Sequence, residues 1–376
     1  MAGIYIHIPF CKKACHYCNF HFSTQTHQKE EFIQSLLSEI KLQKNYLHQP
    51  IETIYLGGGT PSLLDKNELE LIIQAIQKHF TLAPQIECTL EANPDDMSAK
   101  AAQTWRSLGV NRLSIGIQSF QPQALAWMNR AHTVEQSHQA IQIAIEAGFT
   151  NISADIIYGT PHLSDKDLNA DIQQLLNYSI NHISAYALTV EEKTALFSMI
   201  EKNKMDPVNT EQQARQFDMV VNALEAAGLE HYEISNFSKP GFKSKHNSHY
   251  WNQTPYLGLG PSAHSYNGHQ RQWNVSNNAL YIQSIKNDLV PFELENLNLT
   301  QKFNEYMMLS LRKSEGFSIA YIQSVFGEAY WQHCKSILPK YINLAYVYAT
   351  PNGYALTKKA KFFADGIASD FFWIEN

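Results

Sequence analysis

Cys11-Lys12-Lys13-Ala14-Cys15-His16-Tyr17-Cys18 places three cysteines at C-x3-C-x2-C spacing on one short stretch. Thiolates this close can converge on a single soft metal centre, and thiolates select zinc, Cu(I) or iron–sulfur clusters. Two assignments compete. A structural zinc takes four ligands, which would recruit His16 or His21 as the fourth. A [4Fe–4S] cube held by three cysteines instead leaves one iron without a protein ligand. That iron can be chelated by the amino and carboxylate groups of a small molecule. Just before the cysteines, Gly3-Ile4-Tyr5-Ile6-His7-Ile8 alternates and is rich in β-formers. The motif therefore sits on the loop after a strand.

Working outward, Phe32, Ile33, Leu36, Leu37 and Ile40 recur on one helical face. Thr53-Ile54-Tyr55-Leu56 reads as a second strand, running into Gly57-Gly58-Gly59-Thr60-Pro61. Leu69, Ile72, Ile73, Ile76 and Phe80 mark a second helix. A strand over 86–90 then ends at Glu91-Ala92-Asn93-Pro94, and a helix over 101–108 stops at Gly109. A strand over 112–117 leads to Gln118-Ser119-Phe120. Thr133-Val134-Glu135-Gln136 has capping-box spacing and opens a helix ending at Gly148. A fifth strand covers 151–158, a capped helix starts at Ser164, and a sixth strand covers 182–188. Alternation of this kind implies a parallel sheet with helices outside, and right-handed crossovers curl it. Six units fall short of the eight of a closed barrel. The expected fold is α/β, an incomplete (β/α)6 TIM-like barrel. Its glycine-rich and polar stretches fall at the strand C-termini, the rim where such barrels bind and react.

A long helix over 209–228 and a strand near 230–234 follow. Residues 237–278 are rich in Gly, Pro, Asn, His and aromatics, a loop-like composition. Helices over 300–311 and 319–326, a hairpin about Asn352-Gly353 and a helix over 360–369 suggest a small winged-helix-like α+β domain. The expected division is residues 1–290, with the barrel core reaching about 235, and residues 291–376.

Bulk properties narrow the function classes. The chain has 376 residues, 44% hydrophobic and 17% charged, as in ordinary globular proteins. A net charge of −6 gives no basic footprint for nucleic acid. No apolar run is long enough to span a membrane, so an integral membrane protein is not expected. The absence of a basic-plus-apolar leader predicts a cytoplasmic location. Three of the five cysteines are crowded together, which argues for a reducing compartment rather than disulfides. Cys88 and Cys334 read as buried small side chains.

On the predicted rim, Gly57 to Gly59 lack Cβ atoms and allow close approach of a ligand to the backbone. Glu91 can accept hydrogen bonds from a ribose or an amino group, and Gln118, Arg130 and Asp155 follow around the same mouth.

The cysteine motif, with an aromatic residue before its last cysteine, resembles that of radical S-adenosylmethionine (SAM) proteins. Ile4-Tyr5-Ile6-His7-Ile8-Pro9-Phe10-Cys11, Gly57-Gly58-Gly59-Thr60-Pro61, Leu90-Glu91-Ala92-Asn93-Pro94, Gly116-Ile117-Gln118-Ser119-Phe120 and Asp155-Ile156-Ile157-Tyr158-Gly159 together look like the coproporphyrinogen dehydrogenase superfamily. Its oxygen-independent coproporphyrinogen III dehydrogenases carry a fourth cysteine, where this chain has Phe20, and a long N-terminal extension. Over nearly its whole length the chain resembles the other class, the heme chaperones (HemW). The later signature is His246-Asn247-Ser248-His249-Tyr250-Trp251, followed by residues 256–265.

The resemblance implies a [4Fe–4S] cluster on Cys11, Cys15 and Cys18. It implies SAM on Tyr5, Tyr17, Gly58, Gly59, Thr60, Glu91, Gln118, Arg130, Asp155 and Ala187. It also implies heme contacted by His246 and handed to respiratory enzymes at the membrane surface. The competing function is a true oxidoreductase that cleaves SAM to a 5′-deoxyadenosyl radical acting on a porphyrinogen.

Overall fold

The computed structural model describes residues 1–178 and 180–374. Six strands pair side by side in chain order, all parallel: β1 (Ala2–Ile8), β2 (Ile51–Gly58), β3 (Leu82–Ala92), β4 (Arg112–Gln118), β5 (Asn151–Tyr158) and β6 (His182–Ala187). Helices α1 (Lys29–Leu42), α2 (Lys66–His79), α3 (Ala99–Ser107), α4 (Pro122–Trp127), α5 (Val134–Glu146) and α6 (Asp165–Leu176) cross between them. This is the parallel (β/α)6 arrangement anticipated from the alternation. Every residue of β1 except Tyr5 is buried, as a strand covered on both faces must be. Capping boxes at Asp65, Thr133 and Ser164 fix the starts of α2, α5 and α6. The six-residue α4 was not anticipated, being too short to show helical periodicity.

After α7 (Ala195–Glu201) and α8 (Thr210–Ala226), β7 (Glu230–Glu233) and β8 (Asn236–Ser238) extend the sheet antiparallel from β6. Residues 237–278 depart from the loop expectation. They hold α9 (Lys245–Trp251) and strands β9 (Tyr256–Leu259), β10 (His264–Tyr266) and β11 (Gln270–Asn274). Strand β9 runs parallel to the free edge of β1, so that among the described residues this sheet has twelve strands, with β12 (Phe292–Asn296) at one edge. Strands of three to five residues are too short to alternate visibly, and an edge supplied from far away in sequence decides their conformation.

A buried carboxylate ties this extension down. Glu39 on α1 accepts hydrogen bonds from the Gly260 amide (2.7 Å), Asn274 Nδ2 (2.6 Å) and Tyr281 Oη (2.6 Å). Tyr281 lies on α10 (Asn278–Lys286).

The C-terminal part has a hydrophobic cluster of its own, including Phe303, Met307, Phe317, Leu338 and Phe371. It consists of α11 (Leu299–Arg312), β13 (Phe317–Ser318), α12 (Ile319–Tyr321) continued by a π turn, α13 (Glu328–Asn343), the hairpin β14 (Val347–Ala349) and β15 (Gly353–Leu356), a 3-10 turn (Lys358–Phe363) and α14 (Ala364–Asp370). Strand β13 pairs with β15, a winged-helix-like order. The sequence reading had no helix at α13, where Pro339, a helix breaker in sequence terms, lies inside the last turns.

Candidate functional site

The loop after β1 opens into a cavity of about 590 Å³ at the C-terminal ends of the parallel strands. Backbone contacts hold the loop on three sides. The Cys11 amide donates to Ser23 O (3.0 Å), the His16 amide to Met128 O (3.2 Å) and the Leu196 amide to His16 O (2.8 Å). Asn129, with φ of 59°, donates its side-chain amide to Ala14 O at 2.7 Å. All three cysteines of the motif line the cavity.

Nine of the ten residues singled out for SAM line the same cavity: Tyr17, Gly58, Gly59, Thr60, Glu91, Gln118, Arg130, Asp155 and Ala187. Thr60 Oγ1 donates to Cys11 Sγ at 3.3 Å and accepts from Asn93 Nδ2 at 3.2 Å. Arg130 spans the site. Its Nη1 lies 3.3 Å from Cys15 Sγ and 3.4 Å from Tyr17 Oη, and its Nη2 donates to Asn93 Oδ1 (2.7 Å) and Gly116 O (3.0 Å). Its Nε is buried without a partner. Glu91 accepts from Tyr55 Oη (2.7 Å) and the Gly58 amide (3.2 Å). Burial, helped by the Asp155 charge, pushes the Glu91 carboxyl up to about 7. Asp155 accepts from Ser114 (2.9 Å) and Ser153 (3.0 Å), and burial raises its carboxyl as well. Gly58 has φ of +100°, and a Cβ there would meet the His7 ring at 2.4 Å.

Tyr5 does not reach the cavity. It lies one layer below, its hydroxyl 3.2 Å from His7 Nδ1 and its ring stacked on Tyr55. His246 is deeper still, at 1% exposure. Its Nδ1 is 2.8 Å from Thr53 Oγ1 and its Nε2 2.9 Å from Tyr250 Oη. The ring stacks on Tyr55 with centroids 5.0 Å apart. Burial lowers its pKa to about 3, so the imidazole is neutral. The His246-to-Trp251 stretch forms α9, whose first amides are capped by the Glu87 carboxylate. It closes the barrel floor below β1 and β2. A metal ion at His246 would require the loss of one of its two hydrogen bonds.

Sequence reasoning passed over Asn93, which joins Arg130 to Thr60, although it stood within a quoted motif. It also passed over Arg312, Lys361, Phe362 and Asp365, which line the outer end of the cavity from the C-terminal part. No local signal marks them, because their relation to the cysteines is made only by the fold.

The two histidines weighed as a fourth zinc ligand are each engaged through one ring nitrogen. His21 Nε2 pairs with Asn278 Oδ1 (2.7 Å) and His16 Nδ1 with Trp127 O (2.8 Å).

Comparison with known proteins agrees with this geometry. Residues 5–175 match the radical SAM superfamily. The heme chaperone HemW of Bacillus subtilis (strain 168) is 35% identical over 343 residues, covering 90% of this chain and 89% of that protein. The chain belongs to the HemW family of radical SAM proteins. The HemW of Escherichia coli K12 is 33% identical over 267 residues, covering 70% of this chain and 69% of that protein. Among solved structures, the Escherichia coli coproporphyrinogen III oxidase HemN, a radical SAM enzyme, superposes with a TM-score of 0.85. It is 20% identical, with 99% of this chain and 90% of that one covered, and at that identity it speaks for the fold alone. Radical SAM membership implies a [4Fe–4S] cluster and SAM. The donor set suits both: three thiols on one loop, an arginine beside the Cys15 thiol, and an adjoining cavity with carboxylates and close-approach glycines. Among the described residues no helix is long and apolar enough to cross a membrane.

Proposed function

We propose that this HemW-family chain is a heme chaperone that holds a [4Fe–4S] cluster on Cys11, Cys15 and Cys18, binds SAM next to it, and passes heme to respiratory enzymes from the cytoplasmic side. The supporting observation is that one cavity joins the cysteine loop to an outer half lined by aromatic and cationic side chains. Phe20, 63% exposed, stands on its lip where the dehydrogenase class would have its fourth cysteine. The names of the relatives, at 32–35% identity, point the same way.

When bound, the cluster supplies one iron with an open coordination position that SAM can fill. The chain's own residues do the rest. Thr60 and Arg130 orient the thiols of Cys11 and Cys15, with Asn93 locking both donors in place. Gly58 and Gly59 would let the backbone approach the methionine part of SAM, with Thr60 next to them. Glu91, Gln118 and Asp155 offer acceptors for ribose and amino groups. Tyr17 would lie near the adenine and Ala187 would line the same site, while Tyr5 supports the layer beneath. Respiratory recipients, cytoplasmic residence and the domain division near residue 290 belong to the same proposal.

The test is anaerobic cluster reconstitution followed by heme titration and transfer to an apo-oxidoreductase, read by visible absorbance. Saturable heme binding and transfer, with added coproporphyrinogen III left unoxidised, is the expected result. Porphyrinogen oxidation with formation of 5′-deoxyadenosine, and no heme complex, would overturn it.

A further inference from the structure

The outer half of the cavity contains a buried cation that neither the cluster nor the SAM assignment uses. Lys361, in the 3-10 turn before α14, lines the cavity and is 8% exposed. An ammonium has three donors. The Lys361 amine donates to the His231 carbonyl at 3.0 Å, and no carboxylate among the described residues lies within ion-pair distance of it. Burial of this unpaired charge pulls its pKa down to about 8. Glu225, Glu233 and Glu315 act on this charge without pairing with it; Glu233 Oε1 accepts from Asn236 and the Ser235 amide, while its buried Oε2 has no partner.

Arg312, at the end of α11, stands on the same wall. It pairs with Asp365 (2.5 Å) and lies over the Trp251 ring, while its buried Nε has no partner. The surfaces around the two cations are aromatic. Phe217 and Phe362 touch at 5.6 Å between ring centroids, and Tyr186, 41% exposed, lines the same cavity. A small inorganic anion would leave these rings uncovered. A flat apolar ligand with carboxylate arms would use both features.

We propose that the outer half of the cavity is the heme seat, with Lys361, assisted by Arg312, binding a propionate carboxylate. The proposal rests on the heme-chaperone reading and adds to it the position of the ligand and the group that recognises it. It also moves heme recognition from the floor of the barrel to its mouth.

The experiment compares iron protoporphyrin IX with its dimethyl ester, titrated into the reconstituted full chain and into Lys361→Met and Lys361→Arg. Methionine keeps the length of the stem and removes the buried charge, so this variant should fold; melting curves check it. Wild type should bind the free acid roughly tenfold more tightly than the ester, the scale of one charge-assisted hydrogen bond. Lys361→Met should lose that preference through the free acid alone, Lys361→Arg should keep most of it, and SAM affinity should not change in either. Equal binding of acid and ester by wild type would overturn the proposal without a variant. So would a Lys361→Met protein with its preference intact, or one that binds SAM rather than heme more weakly. Wild type that binds neither tetrapyrrole would refute the chaperone reading itself.

Discussion

His246→Ala separates a ligand from a structural support. The ring fills the barrel floor with both nitrogens paired. Truncation would strand the Thr53 and Tyr250 hydroxyls and remove the stacking on Tyr55. An emptied core site costs about 2–4 kcal/mol, and each polar group left unpaired adds about 1–3 kcal/mol. Since hydroxyl rotation and local relaxation recover part of this, a net loss of roughly 4 kcal/mol is expected, a large share of the ~5–15 kcal/mol that holds a typical domain. Urea denaturation near neutral pH, followed by circular dichroism, should show it as a lower midpoint. The loss should also depend on pH. In the folded state burial holds the His246 pKa near 3, whereas the unfolded ring takes up a proton below its ordinary 6.5. The unfolded state therefore binds more protons in that window, and the stability contributed by His246 is present above 6.5 and lost as pH falls. The variant has no such group, so its deficit should narrow by about 1.4 kcal/mol per pH unit on acidification. A variant with wild-type stability and selectively lost heme binding, restored by added imidazole, would refute the reasoning and make His246 an iron ligand.

Glu39→Ala leaves three donors without their acceptor, and a loss of roughly 3–5 kcal/mol in chemical denaturation is expected, with Glu39→Gln less damaging. For Gly59→Ala, the new Cβ would lie 2.6 Å from Ile8 O and 2.8 Å from Phe10 O. Iron content after reconstitution should drop severalfold, whereas Gly366→Ala, which meets nothing within 4 Å, should load normally. Glu91 ionises as pH rises through about 7, so SAM affinity measured by equilibrium dialysis should rise over the same range. Glu91→Gln should bind roughly tenfold more weakly, with a flat pH profile.

The six strand–helix units could be read from the sequence because each parallel strand is buried on both faces and each long helix has one apolar face. Local rules then suffice, and the capping boxes at Thr133 and Ser164 sharpen the boundaries. Strands β9 to β12 could not be read, since pairing with β1 and β11 makes them strands, not their composition. Most rim residues were legible because they lie in or just after a parallel strand; Arg130, after α4, is the exception. His246 was recognisable as part of a motif, yet its surroundings, Thr53 and Tyr55 from β2, lie almost two hundred residues away. The same distance concealed Glu39 and Lys361. Each looks like a surface charge on its own helix or turn until the fold supplies Gly260 and Asn274, or His231.

The seating of the cysteine loop has a consequence for biosynthesis. The loop lies ahead in the chain of every element that holds it: Thr60, Met128 to Arg130 and Leu196, with the second edge of β1 covered only by Tyr256–Leu259. While the chain is still on the ribosome these thiols are exposed on an unsupported segment, because long-range contacts must wait for their partners to emerge. Iron uptake by stalled nascent chains should begin only after residues beyond 196 have left the exit tunnel. Assembly factors that deliver the cluster therefore meet a chain whose parallel strands are already made, and the metal centre is set in place after the framework around it.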